Sequence, residues 1–478
     1  MVFHNNVLSG AAGSGTTTYA IDQSIRFDAA AEHFMYSPTP SSSKSFTTTA
    51  TISMWIKLGN IGQHYFAGAF YGSNARYDFF QINANNKLQA SGRSGGASAS
   101  TGTGVTKWTT TQVFRDPSAW YHLVFVYDTT NAVQSERFRL YVNGERVTEF
   151  DTNPSYGASE LVYWFGKSSY SVLGSFWNLT GYADYFYWDG YMAEMHGVDG
   201  TALDQDSFGE FNSSGIWVPK EYTGSHGTDG FYIKGADASD LGINSAANGN
   251  DFTLNAISSH DQIIDSPTNN FCVMSPLDKT STFSTSEGNL KTSLGSASST
   301  HGIKGTIGVS TGKWYWEGRR NAANVYHCQV AVASSEVSPN KLPPSNTPDN
   351  QGSTVGYWGT NLYKDGVAVQ TVAASGNGDI IGLALDLDST PNTVTFTKNG
   401  SALGTAVSVT SGFTWIPCEG SNTSGYTPTV NTSHNFGQDG TMAGLITAGG
   451  NSDANGIGDF KYSVPSGHLA VCTKNVGS

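Results

Sequence analysis

The sequence predicts an all-β chain of two sandwich domains in series, joined by an irregular connector, and three observations carry that expectation. Apolar residues recur with a period of two: Trp120, His122, Val124 and Val126 share one face of "WYHLVFVYD" (120–128), the alternation of a half-buried strand. Asn-Gly or Asp-Gly pairs stand between strand-like runs at Asn143–Gly144, Asp365–Gly366 and Asn399–Gly400, and such pairs supply the two left-handed residues of a type I′ hairpin turn. The 478 residues include 56 glycines and only 13% charged residues, against roughly 25% charged in an average soluble domain. That composition suits many short strands and turns.

The elements follow in order. Residues 1–18, with Gly10, Gly13 and Gly15 among small side chains, form a flexible arm, either a disordered terminus or a tether that orders on a partner. The first sandwich occupies 19–215. "SIRFD" (24–28) and "TISMWIKL" (51–58) precede the long strand at 120–128, and "RFRLYVNGERVTEF" (137–150) forms a hairpin. No segment up to residue 200 keeps a helical period for three turns. Residues 216–268 are less regular: two short strand candidates, then a polar run to Pro267, which marks a connector. The second sandwich spans 269–478. In "GKWYWEGR" (312–319) Trp314 and Trp316 share one face, with Tyr315 and Glu317 on the other. "DIIGLALDLDS" (379–389) is a nearly continuous apolar strand, and "NKLPPSNTPDNQG" (340–352) a long proline-rich loop.

Charge and cysteine usage narrow the function classes. Lys and Arg number 25 and Asp and Glu 38, a net charge of −13 with no basic stripe, so nucleic acid and anionic membrane surfaces are not expected partners. The start lacks the basic and apolar regions of a secretory signal, and no run approaches the roughly 18 apolar residues of a spanning helix. Cys272, Cys328, Cys418 and Cys472 show no Cys-x-x-Cys spacing. Three of them have apolar neighbours, which favours buried free thiols and assembly in a reducing cytosol. The Asn-x-Ser/Thr sequons at Asn178, Asn212, Asn422 and Asn431 carry little weight in that setting.

The densest chemistry lies in "GYADYFYWDGYMAEM" (181–195), with six aromatic rings in its first eleven positions. Tyr185 and Tyr187 fall on one parity, Phe186 and Trp188 on the other. Both faces of the segment are then covered, or one is a platform. A buried aromatic hides about 150–250 Å², so a sheet would use some rings as core. Three readings stand: core, contact with another subunit, and ligand platform. The candidates for ligand or subunit binding are Trp177, Tyr182, Tyr185, Tyr187 and Trp188.

Catalysis finds little support. Retaining glycosidases hold two carboxyl groups about 5 Å apart, and jelly-roll enzymes of this kind place them on a Glu-x-Asp-x-x-Glu strand. The nearest stretch, Asp189 to Glu194, puts one acid at a turn and one in mid-strand. "SGRSGG" (91–96) lies in a low-complexity loop and not at a strand-to-helix elbow. His122 reads as a satisfied core or rim histidine. The expectation is a non-enzyme with no catalytic residues.

"SIRFD", "TISMWIKL", "WYHLVFVYD", "LYVNGERV" and "DGYMAEM" together resemble a concanavalin A-like jelly roll of the laminin-G type over about residues 20–200. "GIKGTIGVSTGKWYWE" (302–317), "DIIGLALDLD", "VTFTKNG" and "HNFGQ" resemble a SPRY domain, a second concanavalin A-like sandwich, over about 270–440. The combination, with the "NNVLSGAAGSG" arm and the connector, is similar to large virion proteins of tailed bacteriophages. That resemblance implies a tail-fibre or virion-surface component, assembled in the host cytoplasm, that attaches to a host surface glycan or receptor. It also implies other virion proteins as partners and a homo-oligomer. A capsid or tail decoration protein without a host ligand is the alternative, and a glycan depolymerase the third reading. Laminin-G-like domains often hold Ca²⁺ at a sheet rim through carboxylates and loop carbonyls. The resemblance thus points to Asp184 and Asp189 as ligands, though aspartate in turns is also ordinary turn chemistry.

Overall fold

The computed structural model describes residues 19–38, 46–71, 76–93, 105–166, 169–175, 187–247, 249–295, 300–321, 327–343, 352–422 and 430–477. Contacts divide the chain into two compact units, one Gly15–Thr268 and the other containing Asn269–Ser478. Both are built almost wholly from antiparallel strands. Among the described residues no helix is long and apolar enough to cross a membrane.

In the first unit two eight-stranded sheets face each other. One runs Glu145–Arg146, Phe138–Val142, Trp120–Asp128, Thr49–Leu58, Gly190–Asp199, Ser24–Phe27 and Gln262–Ile263, with Phe231–Ile233 also paired to Gly190–Asp199. The other runs Phe150–Thr152, Val105–Val113, Lys87–Arg93, Arg76–Ile82, His64–Tyr71, Ser169–Leu173, Phe34–Tyr36 and Thr253–Asn255. Alternate residues fill the space between them. Phe80 stacks on Phe125 at 3.9 Å and 10°, and Trp108 and Trp164 close around that pair. The hairpin at Asn143–Gly144 has φ values of 48° and 80°. Gly144 is required twice over, since a Cβ there would lie 2.2 Å from the Trp217 ring.

The stretch 216–268, expected as a connector, contributes strands to both sheets of this unit. It also seals the outer face of the first sheet. Thr49–Leu58 is buried at nearly every position, so its outward residues are covered as well as its inward ones. Lys57, on that outer face, meets Asp265 at 2.6 Å with both side chains wholly buried. The indole N–H of Trp120 donates to the other Asp265 oxygen at 3.0 Å, and Ser24 donates to the Asp265 carbonyl at 2.6 Å. Arg26 pairs with Asp261 at 3.1 Å, also buried. Trp217–Pro219 and Phe231–Ile233 fall on the two strand candidates of the sequence, whereas Thr253–Asn255 and Gln262–Ile263 are too short for sequence pattern to separate from loops.

The second unit has a seven-stranded and a nine-stranded sheet. Trp314 and Trp316 enter its core as their spacing predicts. Tyr315 and Glu317, on the other face, are also buried. The Glu317 carboxylate accepts from the Tyr315 hydroxyl at 3.1 Å and from the backbone N–H groups of Lys461 and Tyr462 at 2.9 Å. Hairpins stand at Asp365–Gly366 and Asn399–Gly400 with both residues left-handed. Cys272, Cys418 and Cys472 are buried thiols, and burial pushes Cys472 up to about 12.

A fragment of residues 15–268 is expected to fold, whereas one of 15–215 is not. The shorter piece lacks four paired strands and loses Trp217 and Ile263, which pack with Trp55, Trp120, Tyr191 and Ala193, so that apolar face is opened to water. Urea unfolding followed by tryptophan fluorescence checks this; a cooperative transition in the shorter fragment contradicts it.

Candidate functional site

Of the residues singled out by sequence, Trp177, Tyr182, Asp184 and Tyr185 lie outside the described residues. Tyr187, Trp188 and Asp189 are placed, and they part company. Tyr187 is 9% exposed and stacks on Phe34 at 6.2 Å and 24°. Its carbonyl accepts from His64 Nδ1 at 3.0 Å. Trp188 goes the other way, into the core between the sheets. It is fully buried, with its ring T-shaped against Phe66 at 5.7 Å, and therefore not open to a ligand. The two successive rings leave the chain on opposite sides, just before the Gly190–Asp199 strand begins.

Asp189, read as a calcium ligand, is 3% exposed. One carboxylate oxygen accepts from the Asn60 amide at 2.7 Å, and its carbonyl accepts from Gly59 N–H at 2.8 Å. Asp199 is buried and receives the Asp229 N–H at 3.2 Å, while Asp204 pairs with Arg139 at 3.0 Å. Among the described residues no three His, Cys, Asp or Glu gather as a metal site.

Tyr187 belongs to a cluster that sequence reading missed, on the outer face of the second sheet. Phe34, Phe70, Phe79 and Val172 form its buried part, with Tyr36 and Tyr65 half-exposed at its margin. Tyr65 meets Phe79 edge-on at 4.9 Å. Next to the rings runs a ladder of neutral amides. Gln63 Nε2 donates to the Tyr65 hydroxyl at 3.3 Å and to Gln81 Oε1 at 3.0 Å. Asn83 Nδ2 donates to Gln89 Oε1 at 2.9 Å, and Gln89 Nε2 to Ser91 and Thr106 at 3.2 and 3.1 Å. Each amide has two N–H groups and two carbonyl lone pairs; the N–H groups of Gln63 and Gln89 are used within the ladder, which is thus positioned with acceptor capacity left over. Ring faces beside uncharged planar donors and acceptors suit a ligand with C–H faces and hydroxyl edges. A signal was present: in "FFQINANNKLQAS" (79–91) Gln81, Asn83, Gln89 and Ser91 alternate with the core residues Phe80, Ile82, Leu88 and Ala90.

The outer face of the first sheet holds a different constellation. A bulge between Ala193 and His196 puts Glu194 at φ 48°. Its Oε2 accepts from the hydroxyls of Tyr232 at 2.6 Å and Tyr19 at 2.9 Å, with His196 Nε2 at 3.5 Å. His196 Nδ1 bonds His226 Nε2 at 3.1 Å, and the Tyr232 ring stacks on that of His196 at 4.1 Å and 17°. Burial raises the Glu194 carboxyl, but the bonds from His196 and the two tyrosines more than offset it, leaving it below its ordinary value. Burial, reinforced by the His196 charge, lowers His226 to about 4.

Ser53 and His122 lie beside this cluster and have the distance of a nucleophile and base, Oγ to Nε2 2.9 Å. The third partner decides their chemistry. Trp217 Nε1–H donates to His122 Nδ1 at 3.0 Å, and an indole can only donate. The proton of neutral His122 is thus on Nε2, pointing at Ser53. Burial lowers His122 to about 3, so it stays neutral in the tautomer that cannot take the serine proton.

Residues 34–201 match the model described as the concanavalin A-like lectin/glucanases superfamily, laminin-G type, and residues 313–429 match the SPRY domain model. The chain carries a laminin-G-like domain and a SPRY domain. No curated protein sequence matches it significantly. Among solved structures it is similar to the SPRY domain of human HERC1, at 20% identity over 34% of this chain and 96% of that one, TM-score 0.28. It is similar also to the SAP-like pentraxin of Limulus polyphemus, at 15% identity over 36% and 78%, TM-score 0.24. The LG1–3 region of the laminin α2 chain aligns at 7% identity with 88% of this chain, which spans 63% of that structure, TM-score 0.31.

The depressed histidines fix a pH dependence. In the unfolded chain a histidine titrates near 6.5, whereas His226 in the fold does so near 4. Between those values the unfolded state binds the proton first, so stability is lost as pH falls from about 6.5 toward 4. The thermal midpoint of the first unit is expected to drop across that window, and less steeply in His226→Gln. Equal slopes in the two proteins contradict the assignment.

Proposed function

We propose that this is a non-enzymatic binding protein whose laminin-G-like domain takes a saccharide on the outer face of its second sheet. The observation that carries the reading is the juxtaposition of Tyr65 with the Gln63–Gln81 amides, continued by Asn83–Gln89, on one face of the sheet. Pyranose rings present apolar C–H faces and hydroxyl edges, and that surface offers partners to both. The concanavalin A-like and SPRY domains support a binding role. The absent carboxylate pair and the His122 tautomer support a role without catalysis.

The finer reading is a virion component of a tailed bacteriophage, in the tail fibre or on the virion surface, that attaches to a host glycan or receptor as a homo-oligomer. Its support is the order of domains in the sequence: arm, laminin-G-like sandwich, SPRY-like sandwich. Gold labelling of phage particles with an antibody against residues 270–440 tests the location; particles that carry the protein's coding sequence and take no label contradict it.

The saccharide reading is tested on a glycan array with the full chain. Saturable binding to neutral glycans is expected, weakened about tenfold or more in Tyr65→Ala, as loss of one stacking ring worth about 1–1.5 kcal/mol together with its burial implies. Binding that is unchanged in Tyr65→Ala and in Gln81→Ala places the ligand elsewhere.

A further inference from the structure

A cleft of about 520 Å³ opens in the first unit beside Gln134–Glu136, between the Phe138–Val142 strand with its hairpin and the segment Phe150–Pro154. Its volume lies in the range of small-ligand sites, about 300–1,000 Å³. It shares no lining residue with the aromatic and amide face. The walls divide by chemistry. Leu140, Val147 and Phe150 supply an apolar floor, the last two half-buried. Arg139, Arg146 and Asn153 supply the polar side, in a chain whose net charge is −13.

The guanidinium of Arg146 already shows what it binds. It donates to both oxygens of Glu136, Nη1 to Oε2 at 3.1 Å and Nη2 to Oε1 at 2.8 Å, the fork-to-carboxylate geometry of planar recognition. Arg139, on the same wall, reaches Asp204 at 3.0 Å, and that aspartate side chain is 63% exposed. Glu136 and Asp204 thus hold the places a ligand carboxylate would take. Exposed ion pairs of this kind contribute about 0–1 kcal/mol, so an incoming anion exchanges with them at little cost. Asn153, exposed at the rim, adds an amide for hydroxyl groups.

We propose that this cleft is a second saccharide subsite, selective for a sugar bearing a carboxylate, a uronic acid residue. Its C–H face lies on Phe150 and Val147, and its carboxylate displaces Glu136 from Arg146. The proposal rests on the saccharide-binding reading but moves it to a separate surface with opposite charge selectivity.

Calorimetric titration of the full chain with trigalacturonate, against neutral galactotriose, tests it. Saturable binding of the acid is expected, tighter than any that galactotriose shows and weakening as salt rises from about 50 to 300 mM. Arg146→Gln is expected to weaken it about tenfold. Glu136→Gln removes the internal competitor and is expected to tighten it several-fold, the reverse of what a structural ion pair would give. Tyr65→Ala leaves it unchanged. No saturable binding of trigalacturonate, or equal binding of both sugars, overturns the proposal. So does an affinity indifferent to both Arg146→Gln and Glu136→Gln in proteins whose thermal midpoints match the wild type. Loss of trigalacturonate binding in Tyr65→Ala alone returns the ligand to the other face and leaves the first reading standing.

Discussion

The carboxylate of Asp265 stands between a lysine ammonium and an indole N–H, 2.6 and 3.0 Å away, with neither charged side chain exposed to water. Lys57 projects from a central strand, Thr49–Leu58, onto a face that the rest of the first unit covers. An ammonium there without a partner would be a buried charge, which folded chains do not sustain. The return of the chain at 259–268 is therefore a condition of the sheet itself. Arg26 and Asp261 repeat the arrangement two strands over. Replacing such pairs by apolar side chains is often neutral, while removing one partner is strongly destabilising. Their role here is to fix where the returning segment lies, and with it what can occupy the outer face.

That constraint sorts the surfaces by function. The outer face of the first sheet is closed, its polar groups used on one another: Glu194 on two tyrosines, His196 on His226, His122 on Trp217 and Ser53. On the outer face of the second sheet the pair of Lys87 and Asp151 is part-exposed and covers nothing like that area. Its half-exposed tyrosines and unsaturated amides face outward. The second unit likewise uses its buried charges internally, with Glu419 against His434 at 2.7 Å and Glu317 on backbone N–H groups.

What could be read from sequence was local. The three hairpins, the period-two strands and the inward tryptophans 314 and 316 depend on neighbours a few residues apart, and all are present. The short strands expected in the connector include Phe231–Ile233, but nothing local says that they join the sheets of the first unit, and Asp261 and Asp265 look like turn residues until Arg26 and Lys57, over 200 positions earlier, come beside them. Trp188 was drawn into the wrong class because a ring count does not say which side of a strand each ring takes. The amide ladder was hidden for a related reason. Gln63, Gln81 and Gln89 are unremarkable one by one and become a surface only through cross-strand register.

A double-mutant cycle on Lys57 and Asp265 tests the central constraint most directly. Lys57→Met and Asp265→Leu are each expected to destabilise the first unit by about 3–5 kcal/mol, because each leaves its partner charged and buried. The combination is expected to be less damaging than either alone. Single effects that are small, or that add in the double variant, would show that the two charges do not hold the returning segment in place.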